Sequence, residues 1–256
     1  MTSYVPAPGA APMAAMVRAQ AGLEVRMVLR NGEQLLLTLV LPLLLLGVLG
    51  SVDVIDLGTR QERLDFLVPG VLALAVMSTA FTGLAIGTGF ERRYGALKRL
   101  GASPLPRSGL LAAKLLAVIA VEVLQAALVL ALGLALGWRP TGGALSALEV
   151  AVLVLVGTLA FGSLGLLMAG TLPAEATLAA ANLVYLLLLV AGGLMVPLDR
   201  FPGGVQGALE LLPSAALADG LRDSLAGGSG PGSAVVVLLA WAAGAGALAA
   251  RTFRWE

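Results

Sequence analysis

Three groups of side chains in this sequence could do chemistry. Asp53, Asp56, Glu62 and Asp65 place four carboxylates within 13 residues. Paired carboxylates exchange protons with a substrate only inside a shaped pocket, and the spacing here builds none, so the group reads as a solvated loop. Glu122 and Gln125 stand one helical turn apart in an apolar run, and Asn182 and Tyr185 do the same in another. Each polar group there is expensive in hydrocarbon, so it either lines a substrate path or bonds to a neighbouring helix. The third group is basic and runs from Glu91 to Lys114 as ERRYGALKRLGASPLPRSGLLAAK. The sequence contains no Cys and no His, which removes thiolate and imidazole metal sites, Cys nucleophiles and Ser-His-Asp triads. It also lacks the G-x-x-x-x-G-K-[ST] loop that cradles phosphates, so it cannot hold ATP in that manner. No catalytic residue and no metal site is expected.

The elements that position these groups follow from composition. Of 256 residues, 59% are hydrophobic and 12% charged, and the mean hydropathy is +0.96. Soluble domains run near 45–50% and about 25%. The surplus apolar surface calls for a bilayer as solvent, and for helices whose backbone groups are satisfied internally. The fold class expected is an all-α polytopic membrane protein. Residues 1–12 read as a disordered tail, and 13–31 as an interfacial amphipathic helix whose apolar face is interrupted by Glu24. Residues 32–256 read as a six-helix transmembrane domain with spans near 34–52, 66–90, 110–136, 148–172, 178–196 and 233–250. The first long apolar run begins only at Leu35 and no small-residue cleavage site follows it, so no removable signal peptide is expected.

Pro42 falls in mid-span and Pro69 near the start of the second span, which membrane helices tolerate where a neighbour satisfies the freed carbonyl. Lys114 is expected to snorkel to the headgroups, whereas Glu122 lies roughly 12 Å deeper along the helix, too far for a short carboxylate. Of the sixteen basic residues, eleven fall on the face that carries both termini and five on the other. The positive-inside rule therefore puts both termini in the cytoplasm. A net charge of +1 gives no case for nucleic acid as a partner.

Within the basic segment, a helix would align Tyr94, Leu97 and Leu100 on one stripe, and Gly101, Pro104 and Pro106 would end it. The segment resembles the loop between the second and third membrane helices of ABC-2 type permeases, the membrane subunits of ATP-binding-cassette exporters, including the daunorubicin-resistance type. Glu91, Gly95, Leu97, Arg99, Leu100 and Pro104 fill the acidic, glycine, basic-leucine and proline positions of that loop. Ala96 stands where the family often has Thr, and Ala102-Ser103 replaces a Thr before the proline. In the fifth loop Pro197, Pro202, Pro213 and Leu221-Arg222 match the family's punctuation.

The resemblance implies short re-entrant helices over 198–232 at the outer face. It implies an ATPase-coupling segment over 91–107, with Glu91, Arg92, Arg93, Tyr94, Gly95, Leu97, Arg99, Leu100 and Pro104 as its residues. It further implies a separate P-loop ATPase subunit carrying ATP and Mg, with no cofactor on this chain, and a second permease half, identical or related. The setting it implies is the bacterial plasma membrane, and the task is outward movement of a drug-like or lipid-like amphiphile. Read without the resemblance, the residues also allow an ion-gradient-driven secondary transporter working through Glu122, or a membrane assembly scaffold.

Overall fold

A computed structural model describes residues 9–32, 36–52, 58–228 and 230–253. Gln34, Asp53, Asp56 and most of the expected tail lie outside the described residues. Among those described, all regular structure is helical. Helix α1 spans Met13–Arg30, and a π-helical turn, Leu36–Val40, leads into α2, Leu41–Ser51. Helices α3, Arg60–Val76, and α4, Leu84–Arg93, are joined by a second π-helical stretch, Met77–Gly83, into one rod of 34 residues. A short helix α5, Ala96–Gly101, precedes α6, Arg107–Ala135, α7, Ala144–Thr171, and α8, Ala174–Ala191. The connection that follows holds a 3-10 turn, Leu198–Arg200, and helices α9, Gly203–Leu209, and α10, Pro213–Ala226, before α11, Gly232–Thr252.

Among the described residues, five helices are long and apolar enough to cross a membrane: the Arg60–Arg93 rod, α6, α7, α8 and α11. The first expected span, near 34–52, is described as an apolar helix over Thr38–Ser51, whereas a full crossing takes about 20 residues. Its shape follows from Pro42. Proline has no N–H for the carbonyl four residues back, here Thr38, and its ring crowds that carbonyl. The backbone answers by widening into the π turn just before α2. The freed Thr38 carbonyl accepts a hydrogen bond from Gln125 Nε2 at 2.5 Å, which is the neighbour's help that a mid-span proline requires.

The Arg60–Arg93 rod is the axle of the molecule. Its start is fixed by a capping box: Thr59 N–H donates to Glu62 Oε2 at 2.6 Å and Glu62 N–H to Thr59 Oγ1 at 3.3 Å. Beyond that point it is almost wholly enclosed, with Leu64, Val71, Met77 and Phe81 among its buried side chains. Helices α2, α6, α7 and α10 pack around it.

Two ends of the bundle can be told apart by their contacts. At the basic end, α1 crosses the start of α6, where Lys114 bonds to Glu24. The exits of α4 and α7 meet there through Arg92 and the Leu172 carbonyl, and Phe253, just past α11, lies against Gly170. At the opposite end, Trp138 Nε1 donates to Asp65 at 2.9 Å, Gln61 to the Arg139 carbonyl at 3.2 Å, and Gly142 N–H to the Leu225 carbonyl at 2.9 Å. Both described chain ends therefore lie at the basic end. Two of the four clustered carboxylates, Glu62 and Asp65, serve as helix cap and indole acceptor.

Candidate coupling surface and intramembrane polar sites

The basic segment departs from the single helix that its periodicity predicts. The rod stops at Arg93, and Gly95 adopts φ +69° in the left-handed region, which glycine enters without a Cβ penalty. The chain turns there and restarts as α5. Leu97 is 3% exposed and anchors α5, Leu100 is half-buried, and Tyr94 is 67% exposed. The three are therefore not on one buried stripe, because the turn at Gly95 resets the helical phase. Ser103 Oγ donates to the Leu100 carbonyl at 2.6 Å and closes α5 before Pro104 and Pro106.

The turn sorts the segment into three directions. Tyr94, Lys98, Arg99 and Pro104 are exposed, and Tyr94 is held by stacking on Phe90, ring centroids 6.0 Å apart. Arg92 and Arg93 point sideways: Arg92 Nη2 donates to the Leu172 carbonyl, and Arg93 pairs with Glu175 at the start of α8. Glu91 points inward to Lys114, whose Nζ lies 2.7 Å from its carboxylate and 3.2 Å from Glu24 Oε1. Gln20 Nε2 also donates to Glu24 at 3.0 Å. Lys114 is thus 5% exposed and tied to carboxylates on α1 and α4, instead of snorkelling as its position in the sequence predicts. The interruption that Glu24 makes in the apolar face of α1 is the one signal that could have pointed to this triad.

The intramembrane polar residues fall in separate places. Glu122 is 2% exposed, and Thr158 Oγ1 on α7 donates to its Oε2 at 2.6 Å. Gln125 uses both ends of its amide: Thr79 Oγ1 donates to its oxygen at 2.9 Å while its nitrogen donates to Thr38. It thereby clamps the two π-helical stretches to α6. Tyr185 is half-buried against the core. Asn182 is exposed on α8 beside Leu183 and Leu186, and its side-chain amide makes no hydrogen bond within the described residues.

Arg222, flagged in the sequence only as half of a Leu-Arg pair, organises the opposite end. Its Nη2 donates to the carbonyls of Gly193 at 2.8 Å and Leu194 at 3.2 Å, and its Nε to Phe66 at 3.3 Å. Its Nη1 pairs with Asp219 at 2.6 Å, and the guanidinium lies 3.8 Å from the Phe66 ring centroid. Gly70 lets the chain close here, since a Cβ at that position would collide with the Leu194 carbonyl.

The Arg60–Arg93 rod of an apolar helix bundle thus ends in a basic, solvent-exposed elbow. The model for the ABC-2 type transporter family matches residues 21–226, and the chain belongs to that family. It is 24% identical over 226 residues to the transport permease YvfS of Bacillus subtilis (strain 168), an alignment covering 85% of this chain and 89% of that protein. It is 28% identical over 177 residues to the daunorubicin resistance ABC transporter permease protein DrrB1 of Streptomyces coeruleorubidus, covering 67% of this chain and 61% of the relative. Membership makes it a multi-pass membrane subunit of an ABC transporter, a subunit type that works with a separate ATPase.

Proposed function

We propose that this chain is one permease half of an exporter that moves a drug-like or lipid-like amphiphile outward from a bacterial plasma membrane, with both termini cytoplasmic. The observation that supports this best is the elbow at Gly95. It presents Tyr94, Lys98, Arg99 and Pro104 to a partner while Glu91, Arg92 and Arg93 tie the same elbow to α1, α6 and the α7–α8 connection. A displacement of α5 therefore reaches three other helices through polar contacts. ATP and Mg sit on the partner ATPase, and the ATPase must grip one conformation of the elbow more tightly than the other, since an equal grip shifts nothing.

In this reading α2 and its π turn form a sixth, shorter crossing, and α9 and α10 are the re-entrant pair at the outer face. The second permease half packs on α8, where Asn182 carries an amide without a partner among the described residues, on an otherwise leucine-rich face. Such an amide in hydrocarbon is stabilised by a partner across a helix interface, worth about 0.6–2 kcal/mol.

The experiment is co-purification with the ATPase. Lys98→Glu with Arg99→Glu should abolish association. These positions are cleaner than a triple reversal of Arg92, Arg93 and Arg99, because the first two also hold the α7–α8 connection. Transport that persists without any ATPase overturns the proposal. The chain has no cysteine, so Asn182→Cys gives a single site whose oxidative cross-linking reads the α8 contact.

A further inference from the structure

A cavity of about 350 Å³ opens between α1, α4 and α6, within the range of roughly 300–1,000 Å³ usual for small-molecule sites. Its walls are apolar and include Val28, Leu84, Phe90, Ala117 and Val121. Among the described residues, the charged ones in its lining are Glu24, Glu91 and Lys114, so two carboxylates share one ammonium. Thr88 also lines it, is 2% exposed, and buries its Oγ1 without a hydrogen-bond partner among the described residues. Thr88 and Glu91 are three residues apart on α4, hence on one face. A buried acceptor without a donor costs about 1–3 kcal/mol, and a surplus carboxylate costs more unless it is paired. Both deficits are met by one group, a cation with several N–H donors.

We infer that this cavity binds a primary ammonium carried on an apolar tail, with the ammonium between Glu91 and Thr88 and the tail along the Leu84–Val121 wall. The inference deepens the exporter reading by naming a substrate class and rests on it only for the claim that the bound molecule is moved. The ammonium could come from a free amine or from an aminophospholipid headgroup. Gly87 marks the way in: it is exposed, lines the cavity, and a Cβ built there meets nothing within 4 Å.

The test uses the full-length chain in phosphatidylcholine nanodiscs, titrated with radiolabelled dodecylamine. Binding should be saturable and resist equal concentrations of dodecanol and dodecyl sulfate. Gly87→Leu, which fills open space and favours the helix, should abolish saturable binding with no drop in melting temperature. Thr88→Val should weaken binding about fivefold, the loss of one hydrogen bond. Absence of saturable binding to the natural chain, equal competition by dodecanol, or unchanged affinity in Gly87→Leu overturns the inference. Phosphatidylethanolamine added to the discs distinguishes the sources: displacement of dodecylamine assigns the site to a lipid headgroup, and failure to displace it assigns the site to a free amine. Both outcomes keep the ammonium site. ATPase association measured on the same preparation reports on the exporter reading separately, so binding without association sinks that reading and leaves the site standing.

Discussion

Arg222 and Lys114 are enclosed cations at opposite ends of the bundle, and they are held in different ways. Arg222 is fixed mostly by main-chain carbonyls, those of Gly193, Leu194 and Phe66, and by the face of one ring. Its planar fork suits several fixed acceptors at once. Lys114 is held by side-chain carboxylates, Glu24 on α1 and Glu91 on α4, beside an open cavity. Main-chain acceptors move only when the fold moves, whereas carboxylates on two different helices exchange partners when those helices shift. The first arrangement builds an anchor, and the second can act as a joint.

Substitutions at six positions sharpen or break that contrast. Arg222→Ala should have the largest effect, on the order of 3–5 kcal/mol, because it leaves the carbonyls of Gly193, Leu194 and Phe66 without their charged donor. Loss of monodisperse protein and a lowered melting temperature would report it, and Arg222→Lys should not restore stability. Lys114→Met should cost about 2–3 kcal/mol, less because its carboxylates keep some contact with water. Adding Glu24→Gln to that variant should recover part of the loss, and a double-mutant cycle with zero coupling would break the idea of a joint. Gln125→Leu should cost about 1–2 kcal/mol by removing its hydrogen bonds to the Thr38 carbonyl and from the Thr79 hydroxyl, read as earlier proteolysis near the π-helical stretches. Lys98→Glu with Arg99→Glu should change stability by less than about 0.5 kcal/mol yet lose the ATPase. If that pair lowers the melting temperature as much as Lys114→Met, the exposed elbow is structural.

Much of this architecture is legible in the residues. The long apolar runs set the spans because each must satisfy its own backbone in hydrocarbon, and the boundaries of α6, α7 and α11 fall within a few residues of expectation. Pro42 announces in advance that some neighbour must serve the Thr38 carbonyl, but sequence alone does not say that Gln125 is that neighbour. The elbow is legible in composition and illegible in geometry: periodicity aligns Tyr94 with Leu97, and one glycine in the left-handed region undoes the alignment. Lys114 misleads because a lysine near a helix end ordinarily reaches water, and only the three-dimensional crossing of α1 supplies Glu24. Arg222 shows the same limit, since its acceptors are carbonyls, which carry no residue signature.

The widened stretch Met77–Gly83 sits midway along the axle. A π turn amounts to one residue inserted into an α-helix, and one residue of α-helix corresponds to a rotation of about 100°. The facing of the elbow relative to the far half of the same rod is therefore set by a single amino acid midway along it. Deleting it would leave both halves helical while swinging Glu91 off Lys114 and re-aiming the exposed side chains of the elbow. Length in this stretch is accordingly under tighter restraint than identity: swaps among small apolar side chains leave the rotational phase intact, and gaining or losing one position does not.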